Sequence, residues 1–197
     1  MSASAPRMPS FDALYAEICA LPEGKTGMIL EPGRLTVMPR PHPKHQRAMM
    51  GLFRGLASRD TDAGGSGWWL LAEVEVRLDD RLLVPDIVGY RVERVPELPS
   101  DNPLRIVPDW ACEIISPSSA RDDRLKKLRI YASYGVRWTW IVDPDARTVE
   151  CYEAVDRLPT QTVVAEPGET VSLPPFDLPL EIDTLWGAGP QVATAQK

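Results

Sequence analysis

The sequence predicts an α/β fold in which helices flank a mixed β-sheet. Apolar residues recur at helical spacing in three segments, and apolar runs of strand length lie between them. Apolar residues make up 44% of the 197 residues and charged residues 25%, close to the averages of globular proteins. No internal repeat or break in composition divides the chain. We therefore expect one domain over residues 1–197, with an acidic C-terminal region of short strands and a tail at 156–197.

The first part of the chain predicts two helices and a hairpin. Ser10 is a suitable N-cap for a helix over residues 10–21, where apolar residues follow at helical spacing. Two short apolar runs around Glu31-Pro32-Gly33 predict a hairpin. A second helix is expected over about 43–58, since its apolar positions mark one face.

The middle of the chain changes to strand periodicity after a flexible loop at 61–67. Acids and an arginine at alternate positions of 73–78 predict a strand with one solvated face. The run LLVPDIVGY (82–90) is almost continuously apolar, which predicts an interior strand that carries one carboxylate, Asp86. A third strand, DWACEIIS (109–116), carries Glu113 among apolar neighbours.

A helix over 120–134 and a strand over 138–143 are expected next. Ser119 and Asp122 resemble a capping box in which Asp replaces the usual Glu. Gly135 is placed to end the helix.

Charge and cysteine usage limit the classes of protein to consider. Residues 148–197 hold eight acids against Arg157 and Lys197, which accounts for the whole net charge of −6. The other residues balance to zero, so a phosphate-binding face is compatible with the acidic total. Three cysteines without CxxC spacing favour free thiols in a reducing cytoplasm. No apolar run approaches the ~18–20 residues of a membrane span, and the N-terminus lacks the apolar stretch of a secretory signal.

Asp86 and Glu113 are candidate metal ligands. Each stands on an apolar strand, where an ionised acid is unfavourable unless it is paired or bound to a metal. If the strands are neighbours, the side chains can converge at the strand ends. Two carboxylates with a backbone carbonyl and waters make the oxygen-only site that Mg²⁺ prefers. The alternative is that Asp86 caps a turn after Pro85 and Glu113 pairs with an arginine; their position on successive strands before a basic helix favours the metal site.

The third predicted helix supplies a cation. Asp123 and Lys127 are four positions apart with the acid first, so a surface pair contributing ~0.3–0.5 kcal/mol is one interpretation. In the other, Lys127 points over the strand ends towards the two carboxylates, where it neutralises a phosphate or orients a water. Arg121, Arg124 and Lys126 would then contact the backbone of a nucleic acid without reading its sequence.

Lys44 and His45 begin the second predicted helix, within a segment (34–47) that has four basic residues, two histidines and no acid. A further contact with nucleic-acid phosphates and a solvated helix start are both compatible with this composition. The two histidines alone do not make a zinc site. Cys112 alternates with Glu113 along its strand, so we expect it to face away from the acid as a packed core thiol.

Two stretches of the chain resemble a known family. VPDIVGY, followed by WACEIISPSSARDDRLKKLRIYASYGVRWTWIVDP, is similar to the Uma-type family of bacterial restriction endonucleases, within the PD-(D/E)XK nuclease superfamily. The earlier MILEPGRLTVMPRPHPKHQ resembles the N-terminal pattern of that family. The resemblance covers roughly residues 25–155. It implies a restriction-endonuclease-like α/β/α core over that range, a central mixed sheet flanked by helices, and a divalent-metal site for phosphodiester hydrolysis.

The resemblance also implies roles for single residues. Asp86 matches the Asp of the PD element, and Glu113 matches the acidic residue of the (D/E)XK element. The carbonyl of Ile114 would complete the protein ligands of Mg²⁺, with Mn²⁺ as an alternative ion. Ile115 stands where the superfamily has Lys, and Lys127 resembles a migrated substitute.

Three more positions belong to the implied site. Glu31 matches the N-terminal Glu of the family and would be a further ligand or a water-positioning group. Asp123 and Tyr131 lie near Lys127 on the same helix and are additional candidates.

The expected function is Mg²⁺-dependent endonuclease cleavage of DNA. The expected assembly is a homodimer, to which the aromatic strand at 138–142 could contribute, because Trp138 and Trp140 share one face. The absence of Lys at position 115 and the acidic C-terminal region leave an alternative open. In that alternative the chain is a catalytically inactive nuclease fold that acts as a nucleic-acid or protein binding module.

Overall fold

The computed structural model describes residues 8–37, 42–115 and 121–187, and of residues 121–124 only the backbone. Within these ranges the helices are α1 (Phe11–Cys19), α2 (Pro43–Leu56), α3 (Arg121–Tyr134) and a short 3₁₀ helix (Ile182–Trp186). The strands are β1 (Gly27–Glu31), β2 (Arg34–Val37), β3 (Trp68–Ala72), β4 (Val76–Leu78), β5 (Arg81–Leu83), β6 (Ile87–Arg91), β7 (Trp110–Ile114), β8 (Trp138–Asp143), β9 (Thr148–Val155), β10 (Leu158–Ala165), β11 (Thr170–Ser172) and β12 (Pro179–Glu181).

A mixed sheet forms the centre of the fold. Its six strands follow the order β10-β9-β8-β7-β6-β3, and β7 and β8 run parallel while the other neighbours are antiparallel. α3 connects the parallel pair, since parallel neighbours need a crossover rather than a tight turn. A four-stranded antiparallel sheet of order β2-β1-β5-β4 lies beside it, and β11 pairs with β12. The predicted α/β class, with a central mixed sheet flanked by helices, is confirmed.

Helices cover both faces of the central sheet. On one face Leu52 of α2 shares a core cluster with Cys112 of β7. On the other face Tyr131 of α3 shares a second cluster with Ala111. Because successive side chains of a strand point to opposite faces, Glu113 lies on the α3 face and Cys112 on the α2 face, as the alternation predicts. The end of β7 is therefore approached by one helix from each side.

The prediction of one strand over 82–90 is wrong. β5 ends at Leu83 in the small sheet, and β6 begins at Ile87 in the central one. Pro85 lies between them, where its missing N–H removes no ladder hydrogen bond. Asp86 thus sits at the junction of the two sheets, directly before β6, and not within a strand.

The prediction of a strand over 73–78 is only partly correct. β3, which the periodicity did not reveal, ends at Ala72, and Glu73 has a φ of 50°. A positive φ interrupts extended backbone, so the next strand, β4, starts only at Val76. The turn at Glu73 brings its N–H to the carbonyl of Asp86 (3.1 Å).

Two of the local helix signals are confirmed. The hydroxyl of Ser10 accepts a hydrogen bond from the N–H of Ala13 and caps α1. Gly135 follows α3 with a φ of 87°, the left-handed conformation that ends many helices. The capping box expected at Ser119 and Asp122 lies outside the residues and side chains that the structure describes.

β8 is an interior strand, paired with β7 on one side and with β9 on the other. Trp140 is fully buried and packs edge-on against Trp110, with ring centroids 5.1 Å apart. Trp138 is partly buried at the periphery of the same core. The strand at 138–142 therefore does not offer the exposed aromatic surface that a dimer contact there requires.

The three cysteines, Cys19, Cys112 and Cys151, are free thiols. Over residues 8–37, 42–115 and 121–187, no helix combines the length and the apolar character needed to cross a bilayer.

We predict that Gly51→Ala destabilises the fold, because a Cβ at this position in α2 would overlap the backbone carbonyl of Leu185. Overpacking against backbone lowers the free energy of unfolding by about 1–3 kcal/mol. Gly55→Ala, one turn later, is the matched control, because its Cβ would meet only flexible side chains, those of Leu180 at 2.9 Å and Leu185 at 3.7 Å. Urea unfolding measures both variants, and equal stabilities would contradict the close approach of α2 to the 3₁₀ helix.

Candidate functional site

Asp86 is a buried carboxylate held from two directions. Its residue is 9% exposed. Oδ1 lies 2.8 Å from Nε2 of His45, on α2, and Oδ2 accepts a hydrogen bond of 2.5 Å from the N–H of Ile114, at the end of β7. Hydrogen bonds to both oxygens offset part of the desolvation penalty of the buried acid.

Glu113 is held by two side chains of α3. Its Oε1 accepts a hydrogen bond from the hydroxyl of Tyr131, and its Oε2 accepts one from the ammonium of Lys127, both at 2.6 Å. Lys127 and Tyr131 stand four positions apart and so lie on the same side of the helix. Both are buried, which is unusual for lysine and is explained here by the charge of Glu113.

The buried environment shifts the pKa values of Glu113 and Tyr131. Burial raises the pKa of the Glu113 carboxyl; Lys127 opposes the shift and the negative charge of Asp86 adds to it, so the net direction is upward. Burial, and then the charge of Glu113, raises the pKa of the Tyr131 phenol well above its usual range. Tyr131 therefore stays protonated and available as a donor to Glu113.

The two acids meet at the end of β7. Asp86 accepts a hydrogen bond from the N–H of Ile114, the residue that directly follows Glu113. The two carboxylates are close enough for the charge of Asp86 to raise the pKa of Glu113. Lys127 contacts Glu113 from above the sheet. The structure thus brings together Asp86, Glu113 and Lys127, whose convergence was an expectation of the sequence.

His45 occupies a different position from the one that its sequence context suggested. Its side chain is buried and bonded to Asp86, which does not suit an exposed contact with a phosphate. Burial alone would lower the pKa of the imidazole. The hydrogen bond and charge of Asp86, aided by the charges of Glu73 and Glu113, outweigh burial and raise the pKa of His45.

Glu73 is an acid near the site that the sequence pattern did not single out. It is exposed, its N–H bonds the carbonyl of Asp86, and its charge acts on His45. The alternation over 73–78 placed it on the solvated side of a strand. The available signal was its position as the first acid after the apolar run WWLLA.

The remaining candidates lie on the surface around α2 and α3. Glu31 is half-exposed and bonds the ammonium of Lys126 at 3.2 Å, which lowers the pKa of its carboxyl. Lys44 pairs with Asp145 at 2.5 Å, also at the surface. The structure therefore does not show Glu31 bonded to Asp86 or Glu113, and it gives Glu31 a basic neighbour on α3.

Three candidates cannot be placed in the same way. The side chains of Arg121, Asp123 and Arg124 lie outside the described part of α3. The surface pair of Asp123 with Lys127, one of the two interpretations of the sequence, therefore also lies outside the described side chains.

The donor set of Asp86 and Glu113 fits a hard divalent cation. Counting only partners that the structure describes, each of the four carboxylate oxygens accepts one hydrogen bond and keeps a further lone pair. Two neighbouring buried negative charges gain from a cation between them. Among the described residues no group of three or more His, Cys, Asp or Glu side chains has the arrangement of a metal cage. Mg²⁺ is compatible with so few protein ligands, because it commonly keeps several waters.

Comparisons with known proteins identify the family of this chain. The model of the Uma2 family, described as "Putative restriction endonuclease", matches residues 15–184. A solved structure from Anabaena variabilis, described as a putative nuclease belonging to DUF820, is similar to this chain with a TM-score of 0.71 and 25% sequence identity. The alignment covers 90% of this chain and 97% of that one. A search of curated proteins found no match. On the extent of the family match, the chain belongs to the Uma2 family.

Proposed function

We propose that this protein is a Mg²⁺-dependent endonuclease that hydrolyses phosphodiester bonds of DNA, with Mn²⁺ as an alternative ion. Membership of the Uma2 family supports a hydrolase that acts on nucleic acid. One observation carries the rest of the proposal: Asp86, Glu113 and Lys127 meet at the end of β7. Two carboxylates suit a divalent cation, and an adjacent ammonium suits a phosphate.

In this proposal Asp86 and Glu113 hold the metal, together with the carbonyl of Ile114. Bound Mg²⁺ supplies a Lewis acid for a phosphoryl oxygen and lowers the pKa of a water. Lys127 stabilises the negative charge that develops on the phosphoryl oxygens. Tyr131, whose hydroxyl bonds Glu113, holds that carboxylate in one orientation while the metal and the ammonium share it.

DNA contacts are proposed along the adjacent helices. Lys126 of α3 and Lys44 at the start of α2 are about half-exposed and paired with surface acids. Exposed pairs of this kind contribute little to stability, so a phosphate can replace the acid at small cost. Arg121 and Arg124 extend the proposed contact by their position on α3.

A homodimer in the cytoplasm completes the proposal. Because β8 is interior, the dimer contact must lie elsewhere than at 138–142. Analytical ultracentrifugation measures the oligomeric state directly.

A second candidate is a catalytically inactive binding module with a nuclease fold. The observation that favours it is that both oxygens of Glu113 already accept hydrogen bonds, from Lys127 and Tyr131. In that case the ion pair is structural, and the protein binds a nucleic acid or a protein without turnover.

We predict that Asp86→Asn and Glu113→Gln each abolish metal-dependent nicking of supercoiled plasmid, since each removes an anionic ligand while keeping the shape of the side chain. Glu97→Gln and Asp101→Asn, at exposed positions, are the matched controls and keep full activity. Circular dichroism and thermal melting confirm that each variant is folded.

Cleavage and DNA-binding assays together can contradict the proposed endonuclease activity. A wild-type protein that cuts neither DNA nor RNA with Mg²⁺ or Mn²⁺, and binds DNA as well as its Asp86 and Glu113 variants do, supports the binding module instead.

We also predict that Lys127→Met lowers the cleavage rate by about 10²–10³-fold, the usual effect of removing one preorganised charge. The single change leaves Glu113 buried without its cation, and breaking such a pair lowers the free energy of unfolding by about 3–5 kcal/mol.

The double variant Lys127→Met/Glu113→Gln separates stability from catalysis. With both charges removed, most of the lost stability returns, as measured by urea unfolding, while the protein stays inactive. Arg129→Met, at an exposed position of the same helix, is the control and changes the rate only slightly. An active Lys127→Met variant would assign Lys127 a structural role.

A further inference from the structure

His45 makes a contact that packing alone does not explain. It lies in the first turn of α2, and Nε2 is 2.8 Å from Oδ1 of Asp86 across 41 residues of sequence. Its residue is 8% exposed. One and two helical turns further on, Ala48 and Leu52 pack into the core, so an apolar side chain would suit the position of His45 as well.

The other ring nitrogen of His45 supports a specific role for Nε2. Nδ1 is buried and has no hydrogen-bond partner among the residues that the structure describes. A buried polar atom without a partner is unfavourable, and such atoms in folded proteins call for an explanation. The explanation that fits here is that the imidazole serves to form the hydrogen bond between Nε2 and Asp86, although Nδ1 is left without a hydrogen-bond partner among the described residues.

That bond completes the support of Asp86. The N–H of Ile114 holds Oδ2, and His45 holds Oδ1, so the carboxylate is fixed at both oxygens. One support comes from the sheet and the other from α2, which approaches from the opposite face to α3. A carboxylate fixed in this way has one orientation, so the directions of its remaining lone pairs are fixed as well.

We propose that His45 is a positioning residue that orients Asp86 for the divalent cation, an inference that rests on the proposed metal-dependent function. Partners that hold a ligating group commonly change metal affinity by about 10–100-fold when they are removed. His45 acts through Asp86 and contacts neither the substrate nor the metal.

The test is calorimetric titration of the full chain with Mn²⁺ at one fixed pH. His45→Gln and His45→Met form a matched pair, because the amide nitrogen of Gln and the terminal methyl of Met stand as far along the side chain as Nε2 of His. We expect His45→Gln to bind Mn²⁺ within about threefold of the wild type and His45→Met to bind about 10–100-fold more weakly.

Two further variants isolate the hydrogen bond. His45→Asn keeps a polar side chain that is too short to reach Asp86, so its affinity for Mn²⁺ should resemble that of His45→Met. His45→Asn also replaces His45→Met in the test if His45→Met does not fold. Glu73→Gln removes a nearby charge without touching the bond, and should leave affinity almost unchanged. In an Asp86→Asn background, His45→Gln and His45→Met should bind Mn²⁺ alike.

The outcomes separate this inference from the proposed function. If Asp86→Asn weakens Mn²⁺ binding but His45→Met or His45→Asn does not, the positioning role is overturned and the metal site stands. The role also fails if folded His45→Gln binds as weakly as His45→Met. If the wild type binds no Mn²⁺, or binds it equally well after Asp86→Asn, both the site and the role of His45 are overturned.

Discussion

The burial of two neighbouring carboxylates at the end of β7 is the constraint on which the surrounding structure depends. Asp86 and Glu113 stand close enough for the charge of one to raise the pKa of the other. An interior of low dielectric tolerates such a pair only when cations and donors surround it. Lys127 and Tyr131 provide them from α3, His45 from α2 and the backbone of Ile114 from β7. The carboxylate oxygens keep lone pairs beyond these hydrogen bonds, so the arrangement that stabilises the buried acids is also compatible with the proposed cation.

The architecture explains how donors can reach one point from three directions. A mixed sheet with a helix on each face lets α2 and α3 approach the end of β7 from opposite sides. The chain crosses from the small sheet to the central sheet at residues 84–86, so Asp86 lies where the strand ladder has not yet begun. Inside a ladder, its side chain would have pointed to one face only and could not have reached both β7 and α2.

The position of Lys127 shows how one chemical group can be supplied from another element. Ile115, directly after β7, stands where the resemblance to the PD-(D/E)XK superfamily implied a Lys, and the N–H of Ile115 pairs with the carbonyl of Val142. Lys127 stands on the helix that follows the same strand, and its long side chain delivers an ammonium to Glu113. The crossover from β7 through α3 to β8 holds this helix over the sheet. In the proposed site the ammonium is therefore supplied by the helix and not by the strand.

The sequence by itself determined the three α-helices, several of the strands, the α/β class and the acids that needed explanation. Ser10, Gly135 and the apolar periodicity act over a few neighbouring residues, so their effect can be seen in the sequence alone. Only the tertiary structure decided that residues 82–90 divide between two sheets. It also decided that the N–H of Glu73 bonds the carbonyl of Asp86, and that the side chain of His45 is buried against the carboxylate of Asp86. Each of these depends on partners that are distant in the chain. Strand register and helix packing, which set those meetings, follow from the burial of the whole core and not from any single segment.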